Sequence, residues 1–372
     1  MKELYLSTSD SIADLQNCLN AYEQNQSVKS ILILACDANQ MQPEQLDPIL
    51  QNIQKPLWGG IFPALLHNTQ KLDKGFIVAG FETEVHVSVI ENISHPQTDF
   101  EVVIEELVHD DFEFKTLGVL VDGFSRRISA LIESLFLVFG LDCNYIGGGV
   151  GSLTMVQKPC LFSNKGMLTD CALLVRLPLE CFVEVQHGWF SVAGPFKVTS
   201  ADRNIITELD YRPAMEVYRE VILQHTGKKI EENNFFDLAK AYPFGIHKLD
   251  AEMVVRDPIA AQDNQLVCVG EIQEGTFVDV LHGNKKSLVE AASLAAARCK
   301  AKLNPEERLF DLFFDCISRT LFLGNDFEQE LMEVKSNKVP LIGALSIGEI
   351  ANNRKEYLEF YNKTAVLACF TK

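Results

Sequence analysis

Leu117-Gly-Val-Leu-Val121, followed by Asp122-Gly123 and then by Asn144-Tyr-Ile-Gly-Gly-Gly149, is the stretch on which the fold turns. The first run reads as a strand, like Ile31-Leu-Ile-Leu-Ala35 upstream, an unbroken apolar run rich in β-branched residues and too short for a helical core. Between the two segments Ile128, Leu131, Ile132, Leu135, Phe136 and Phe139 recur at helical spacing, and Gly140 stands where a helix takes its terminal glycine. Cys171-Ala-Leu-Leu-Val175 supplies the next strand. The order is strand, helix, glycine-bearing segment, strand.

Working outward, the same order occurs twice more. Upstream lie the strand Ile31-Leu-Ile-Leu-Ala35, Asp37, a helix entered at Pro43 and striped by Leu46, Ile49, Leu50 and Ile53, then Lys55-Pro-Leu-Trp-Gly-Gly60 and Phe76-Ile-Val-Ala-Gly80. Downstream lie Leu309-Phe-Asp-Leu-Phe-Phe-Asp-Cys316, a helix with Asn325 as N-cap and Glu328 three residues on, Val339-Pro-Leu-Ile-Gly343 and Thr364-Ala-Val-Leu-Ala368. Three copies predict pseudo-symmetric packing in which glycine turns at Gly59-Gly60, Gly147 to Gly149 and Gly343 converge. Between copies two and three the sequence predicts strands at Phe182–Val185 and Phe190–Val192 and a helix from Pro213 to Gln224 that stops near Gly227. A hairpin about Gln273-Glu-Gly275 and an Ala-rich helix from Lys286 to Leu303 follow. A first helix, Ser11 to Gln24, buries Ile12, Leu15, Leu19 and Tyr22. The fold class is α/β with two domains, built from repeated strand-helix-strand units with mixed parallel and antiparallel sheets.

Composition narrows the function. The 372 residues hold 33 basic and 51 acidic side chains, a formal charge of −18, and 47% are apolar. A chain this acidic, whose basic residues cluster only as the pairs Lys228-Lys229 and Lys285-Lys286, lacks the cationic face that nucleic acid or an anionic membrane needs. The ten cysteines form no Cys-x-x-Cys and sit mostly in apolar surroundings such as Val366-Leu-Ala-Cys-Phe370, as reduced buried thiols do. The N-terminus has no apolar leader and no long apolar span occurs, so a cytoplasmic protein is expected.

Several motifs then match a known family. Cys143-Asn-Tyr-Ile-Gly-Gly-Gly-Val-Gly-Ser152, His187-Gly188, the segment Phe196 to Ile206, Asp315-Cys-Ile-Ser-Arg319, Leu341-Ile-Gly-Ala-Leu-Ser-Ile-Gly-Glu349 and Asn362-Lys-Thr364 resemble the FIST family. They run from about residue 28 to 366 in the family's order. The second copy departs from the family by ending Gly149-Val-Gly-Ser152 without an acidic residue. The resemblance implies an N-terminal helical extension over 1–27, a FIST N domain over 28–216, a FIST C domain over 217–353 and a terminal strand segment over 354–372. It also implies a sensory domain of bacterial signal transduction that binds a small ligand, amino acids having been proposed. Some members bind haem, sense nitric oxide and control a histidine kinase. The sequence holds no kinase, cyclase or methyl-accepting segment, so the expected output is in trans to a separate kinase or other signalling protein.

Candidate ligand residues are Gly147, Gly148, Gly149, His187, Gly188, Thr199, Cys316, Arg319, Gly343, Gly348, Glu349 and Asn362. The glycines either permit positive φ in a tight turn or present backbone N–H groups to an anion; no P-loop or dinucleotide fingerprint is complete. His187 is read three ways: bonded to a loop carbonyl, facing a ligand, or as a haem axial ligand. Without Cys-x-x-Cys-His, covalent haem attachment is excluded, and haem is a possible cofactor only in non-covalent form. Cys316 and Arg319 share a face if the chain there is helical, and Arg319 is either a carboxylate clamp or a bond to the Gly343 turn. Glu349 is its salt-bridge partner or an acceptor for a ligand amine. A catalytic set of Cys316, His187 and Asp315 or Asp202 is not tied together by spacing, and no nucleophile elbow is present, so no enzyme, and no catalytic or metal-ligating residue, is expected. An enzyme on an amino-acid-like substrate stays as an alternative.

Overall fold

Each of the three apolar runs becomes the middle strand of its own sheet, because a strand buried on both faces must be flanked on both edges. The computed structural model describes residues 1–248, 252–304, 306–352 and 357–371. The first unit comprises β1 (Glu3–Ser7), α1 (Ile12–Gln24), β2 (Ser30–Cys36), α2 (Pro43–Leu50), β3 (Leu57–Phe62), the small hairpin β4 (Leu65–His67) and β5 (Gln70–Leu72), and β6 (Phe76–Phe81). β2 pairs in parallel with β3 and antiparallel with β6, which in turn pairs with β1. The second unit repeats this with β7 (His86–Glu91), α3 (Phe100–Leu107), β8 (Thr116–Asp122), α4 (Ile128–Phe139), β9 (Asn144–Val150), the hairpin β10 (Leu161–Ser163) and β11 (Gly166–Leu168), and β12 (Cys171–Leu177).

The third unit opens with β13 (Glu180–Gln186) and is then interrupted. The insertion carries β14 (Phe190–Asp202), β15 (Ile205–Leu209), β16 (Arg212–Pro213), α5 (Ala214–Thr226), α6 (Phe235–Ala239), β17 (Phe244–Ile246), β18 (Val254–Gln262), β19 (Gln265–Val269) and β20 (Phe277–His282). The unit resumes with α7 (Lys285–Ala301), β21 (Arg308–Cys316), α8 (Ile317–Leu323), α9 (Phe327–Val334), β22 (Leu341–Ser346), the hairpin β23 (Glu349–Asn352) and β24 (Glu359–Tyr361), and β25 (Ala365–Thr371). β21 pairs in parallel with β22 and antiparallel with β25, which pairs with β13. The expected boundary at 354 falls outside the described residues.

The hairpins close the three units into a ring. β10 of the second unit pairs with β3 of the first, β23 of the third with β9 of the second, and β4 of the first with β22 of the third. Each exchange covers a strand edge that its own unit leaves open. Gly59, Gly147 and Gly343 are not the turns expected of them: they lie inside β3, β9 and β22. A Cβ would stand 1.8, 1.7 and 1.9 Å from the carbonyl oxygens of Ile33, Val119 and Phe313, so close approach to the parallel neighbour requires glycine there.

The inserted strands form a barrel in the order β14-β20-β17-β18-β19-β15, closed by pairing of β15 with β14. α5 packs against it with Met215, Tyr218 and Ile222 buried. The expected hairpin about Gln273 is absent, since β19 pairs with β15 and β18, and β20 with β14 and β17. The hairpin partner of β19 is β18, through Asp263 and Asn264 at φ 48° and 63°, a turn whose twist suits adjoining strands. The helix expected to be capped by Asn325 begins instead at Phe327, after a short 3-10 turn from Gly324 to Asp326. Among the described residues no helix is long and apolar enough to cross a membrane.

Candidate functional site

Ligands of α/β folds collect where parallel strands end at their carboxyl termini, and the ring offers three such ends. At the first, Asp37 receives Ser152 Oγ at 2.5 Å and Lys158 Nζ at 2.8 Å. At the second, Asp122 accepts from Gln157 Nε2 and from the Asp170 N–H, each at 2.8 Å, while Asp170 accepts from Ser94 and Ser125. These carboxylates are satisfied by neighbouring protein groups.

The third end is different. Ser346, last in β22, donates to Glu349 Oε1 at 2.8 Å. Glu349 is wholly buried, and its Oε2 meets no donor in bonding geometry. Burial therefore holds its carboxyl well above the ordinary range. Asn362 is 1% exposed, and neither its Oδ1 nor its Nδ2 has a partner. Beside it Lys363, at φ 52°, buries its ammonium against Asp257 Oδ2 at 3.2 Å and donates to the Lys240 carbonyl at 2.9 Å. Buried polar groups are nearly always bonded, so an entirely unpartnered carboxamide marks a place built for something else.

Arg319 organises the floor beneath this cluster. Its Nε donates to Asp315 at 2.8 Å, Nη1 to the His187 carbonyl at 2.7 Å, and Nη2 to Glu330 at 2.5 Å and the Leu288 carbonyl at 3.2 Å. Burial pushes both Asp315 and Glu330 up, against the pull of the one guanidinium they share. His187 is fixed on both edges: Nδ1 accepts the Trp189 N–H at 2.9 Å and Nε2 lies 3.2 Å from Glu252 Oε1. Burial and the Arg319 charge lower its pKa to about 3, so the ring is neutral and Nε2 carries the proton. A ring committed in this way does not fit the role of haem axial ligand. The Cys316 thiol is pushed up by burial, which disfavours its thiolate.

Outside the cluster a cleft of about 560 Å³ runs between α4 and the barrel, with Arg256, His247, Lys248, Glu359 and Phe360 among its walls. Arg256 connects it to the interior: a Cβ on Gly270 would stand 2.9 Å from Arg256 Nε and 3.1 Å from Asn362 Oδ1. Arg256 also donates to the carbonyls of Phe360 and Glu271 at 2.9 Å.

Of the residues expected from sequence, Gly147, Gly148, Gly149, Gly348, Glu349, Cys316 and Asn362 come together here. Gly148 lies opposite Glu349, and the Gly149 N–H donates to the Gly348 carbonyl at 2.8 Å. Their N–H groups serve strand pairing, not an anion. His187, Gly188 and Arg319 lie in the supporting layer; a Cβ on Gly188, at φ 77°, would stand 2.5 Å from the Ser287 carbonyl of α7. Arg319 spends its donors on protein and does not bond the Gly343 segment or Glu349. Thr199 lies on β14, accepts the Tyr211 N–H at 2.9 Å and does not join the cluster. Arg256, Asp257, Lys363 and Ser346 were not singled out; the signal was a charged pair inside the buried run Val254-Val255-Arg256-Asp257.

Models of two domains match the chain, the FIST N domain over residues 30–212 and the FIST C domain over 214–352. An uncharacterized protein from each of two Mycobacterium tuberculosis strains is 28% identical over 244 residues, a match covering 62% of this chain and 62% of each relative. With both domain models matched in sequence order over most of its length, the chain belongs to the FIST family of sensory domains in signal transduction.

Proposed function

We propose that the third strand end binds a small zwitterionic ligand of the amino-acid class, and that the chain passes the bound state to a separate kinase or other output protein. The unpartnered carboxamide of Asn362 carries this reading. A ligand amine placed at Glu349 would find a carboxyl with a free oxygen, and a ligand carboxylate towards the cleft would meet Arg256. Asn362, whose Oδ1 would stand 3.1 Å from a Gly270 Cβ that lies 2.9 Å from Arg256 Nε, offers both a donor and an acceptor. Because Glu349 belongs to β23, which completes the second unit's sheet, and Arg256 to the barrel, a ligand bridging them joins three parts of the molecule. Differential affinity for two arrangements of those parts, amounting to about 1–3 kcal/mol, is enough for a switch.

The test is a thermal-shift screen of the twenty amino acids, small amines and small carboxylates on the native chain and on Asn362→Ala. A compound that raises the melting temperature of the native chain and loses most of that shift in the variant supports the reading. No shift from any compound, or a shift the substitution leaves intact, overturns it. The signalling step is read separately, as partner kinase activity with and without the compound found.

A further inference from the structure

Leu32, Gly118 and Leu312 occupy the same position in the three units. Each directly precedes the residue, Ile33, Val119 or Phe313, that lies across the parallel pair from Gly59, Gly147 or Gly343. All three line one cavity where the units meet, of about 40 Å³, walled by Trp58, Phe81, Val175, Leu177, Phe310 and Phe370. Two of the equivalents are leucine and the third has no side chain, so the void lies where a side chain at position 118 would extend.

Nothing in the backbone demands that glycine. Unlike Gly147, whose Cβ would strike a carbonyl oxygen at 1.7 Å, Gly118 has ordinary φ and its Cβ would meet Val175 Cβ at 3.3 Å and no backbone atom nearer than 3.6 Å. A glycine inside a strand costs roughly 0.5–1 kcal/mol, and an unfilled core cavity adds to that. Strand glycines without a packing reason mark places where a ligand approaches. The lining carries no polar side chain, so water would lack the two to four partners it needs there. Gly118 and Leu312 are partly exposed while the other lining residues are buried, which sets the mouth between them.

We infer that this cavity is a binding site for a very small apolar molecule, smaller than a four-carbon side chain. The guest would touch all three units at once. The site shares no residue with the third strand end, so it stands or falls apart from the function proposed above.

The test uses xenon, an apolar probe that fits such voids, on methyl-labelled full-length protein. Saturable shifts confined to the methyls of Leu32, Val119, Leu120, Ile146, Val175, Leu177 and Leu312 are expected in the native chain. In Gly118→Leu, which replaces the guest by a side chain, the apparent affinity falls at least tenfold while the melting temperature is unchanged or higher. If Gly118→Leu does not fold, Gly118→Ala, with one added carbon, serves and weakens binding to a smaller degree. Shifts that rise linearly with pressure, that spread over the whole core, or that persist undiminished in the folded variant overturn the assignment.

Discussion

Gly148 and Glu349 face each other across the antiparallel pair of β9 and β23, so the glycine run of the second unit forms the wall behind the acid of the third. A Cβ on Gly148 would stand 3.0 Å from Ser346 Cβ and 2.8 Å from the Gly348 carbonyl oxygen, displacing the hydroxyl that holds Glu349. Gly148→Ala is therefore expected to cost about 2 kcal/mol by urea unfolding and to weaken ligand response as well, whereas a purely structural role would move only the first.

Asn362 should show opposite effects on stability and on response. Burying a carboxamide with no partner costs about 1–3 kcal/mol, so Asn362→Ala, which removes that group, is expected to unfold no earlier than the native chain without ligand. The same variant should lose its thermal response to the compound found by screening. A variant that is less stable by several kcal/mol would show that the amide has a structural partner.

Glu349 gives a pH signature. Its folded pKa lies well above the ordinary 4.5, so between that value and the raised one the native state holds a proton that the unfolded chain has released. The contribution is complete below about pH 4.5 and is lost as pH rises through the folded pKa, at up to about 1.4 kcal/mol per pH unit. Glu330, raised likewise by burial, adds a slope of the same sign. Glu349→Gln should then flatten, without abolishing, the fall of melting temperature on the alkaline side.

His187 acts in the other direction. Its pKa falls from 6.5 unfolded to about 3 folded, so the unfolded chain binds the extra proton and stability drops as pH falls from 6.5 towards 3. His187→Asn, which keeps an acceptor for the Trp189 N–H and cannot be protonated, should show a shallower acid limb in melting temperature between pH 7 and 4.

Arg319 tests the supporting layer. Removing its charge strands the Asp315 and Glu330 carboxyls in a dry interior, and breaking such a buried pair costs about 3–5 kcal/mol. Arg319→Ala is expected to lose that amount by chemical denaturation, and a ligand-only role for Arg319 would leave unfolding nearly unchanged.

The three units were legible in sequence because each carries a short, largely apolar run followed, after a helix, by a glycine segment. Their closure into a ring was not, since it rests on hairpins such as Leu65–His67 with Gln70–Leu72, strands of three residues that hold no period and pair with a distant unit. α3 was missed although its stripe is present in the sequence: Phe100, Val103, Ile104 and Leu107 recur at helical spacing after Asp99, which caps the helix. At the site, the chemical types of Glu349, Asn362 and Arg319 could be read, but their roles depended on neighbours. Asp315 and Glu330 claim Arg319, and Arg256 reaches the cluster from an inserted barrel whose strand order no local pattern encodes.

The central claim, that the third strand end and not its two equivalents holds the ligand, is tested most directly by hydrogen–deuterium exchange with and without a millimolar mixture of the twenty amino acids. Protection confined to peptides covering 254–262 and 341–352 and the start of β25, with none around Asp37 and 152–158 or around Asp122 and Asp170, is the predicted result. Protection at either of those other ends, or no protection anywhere, would contradict it.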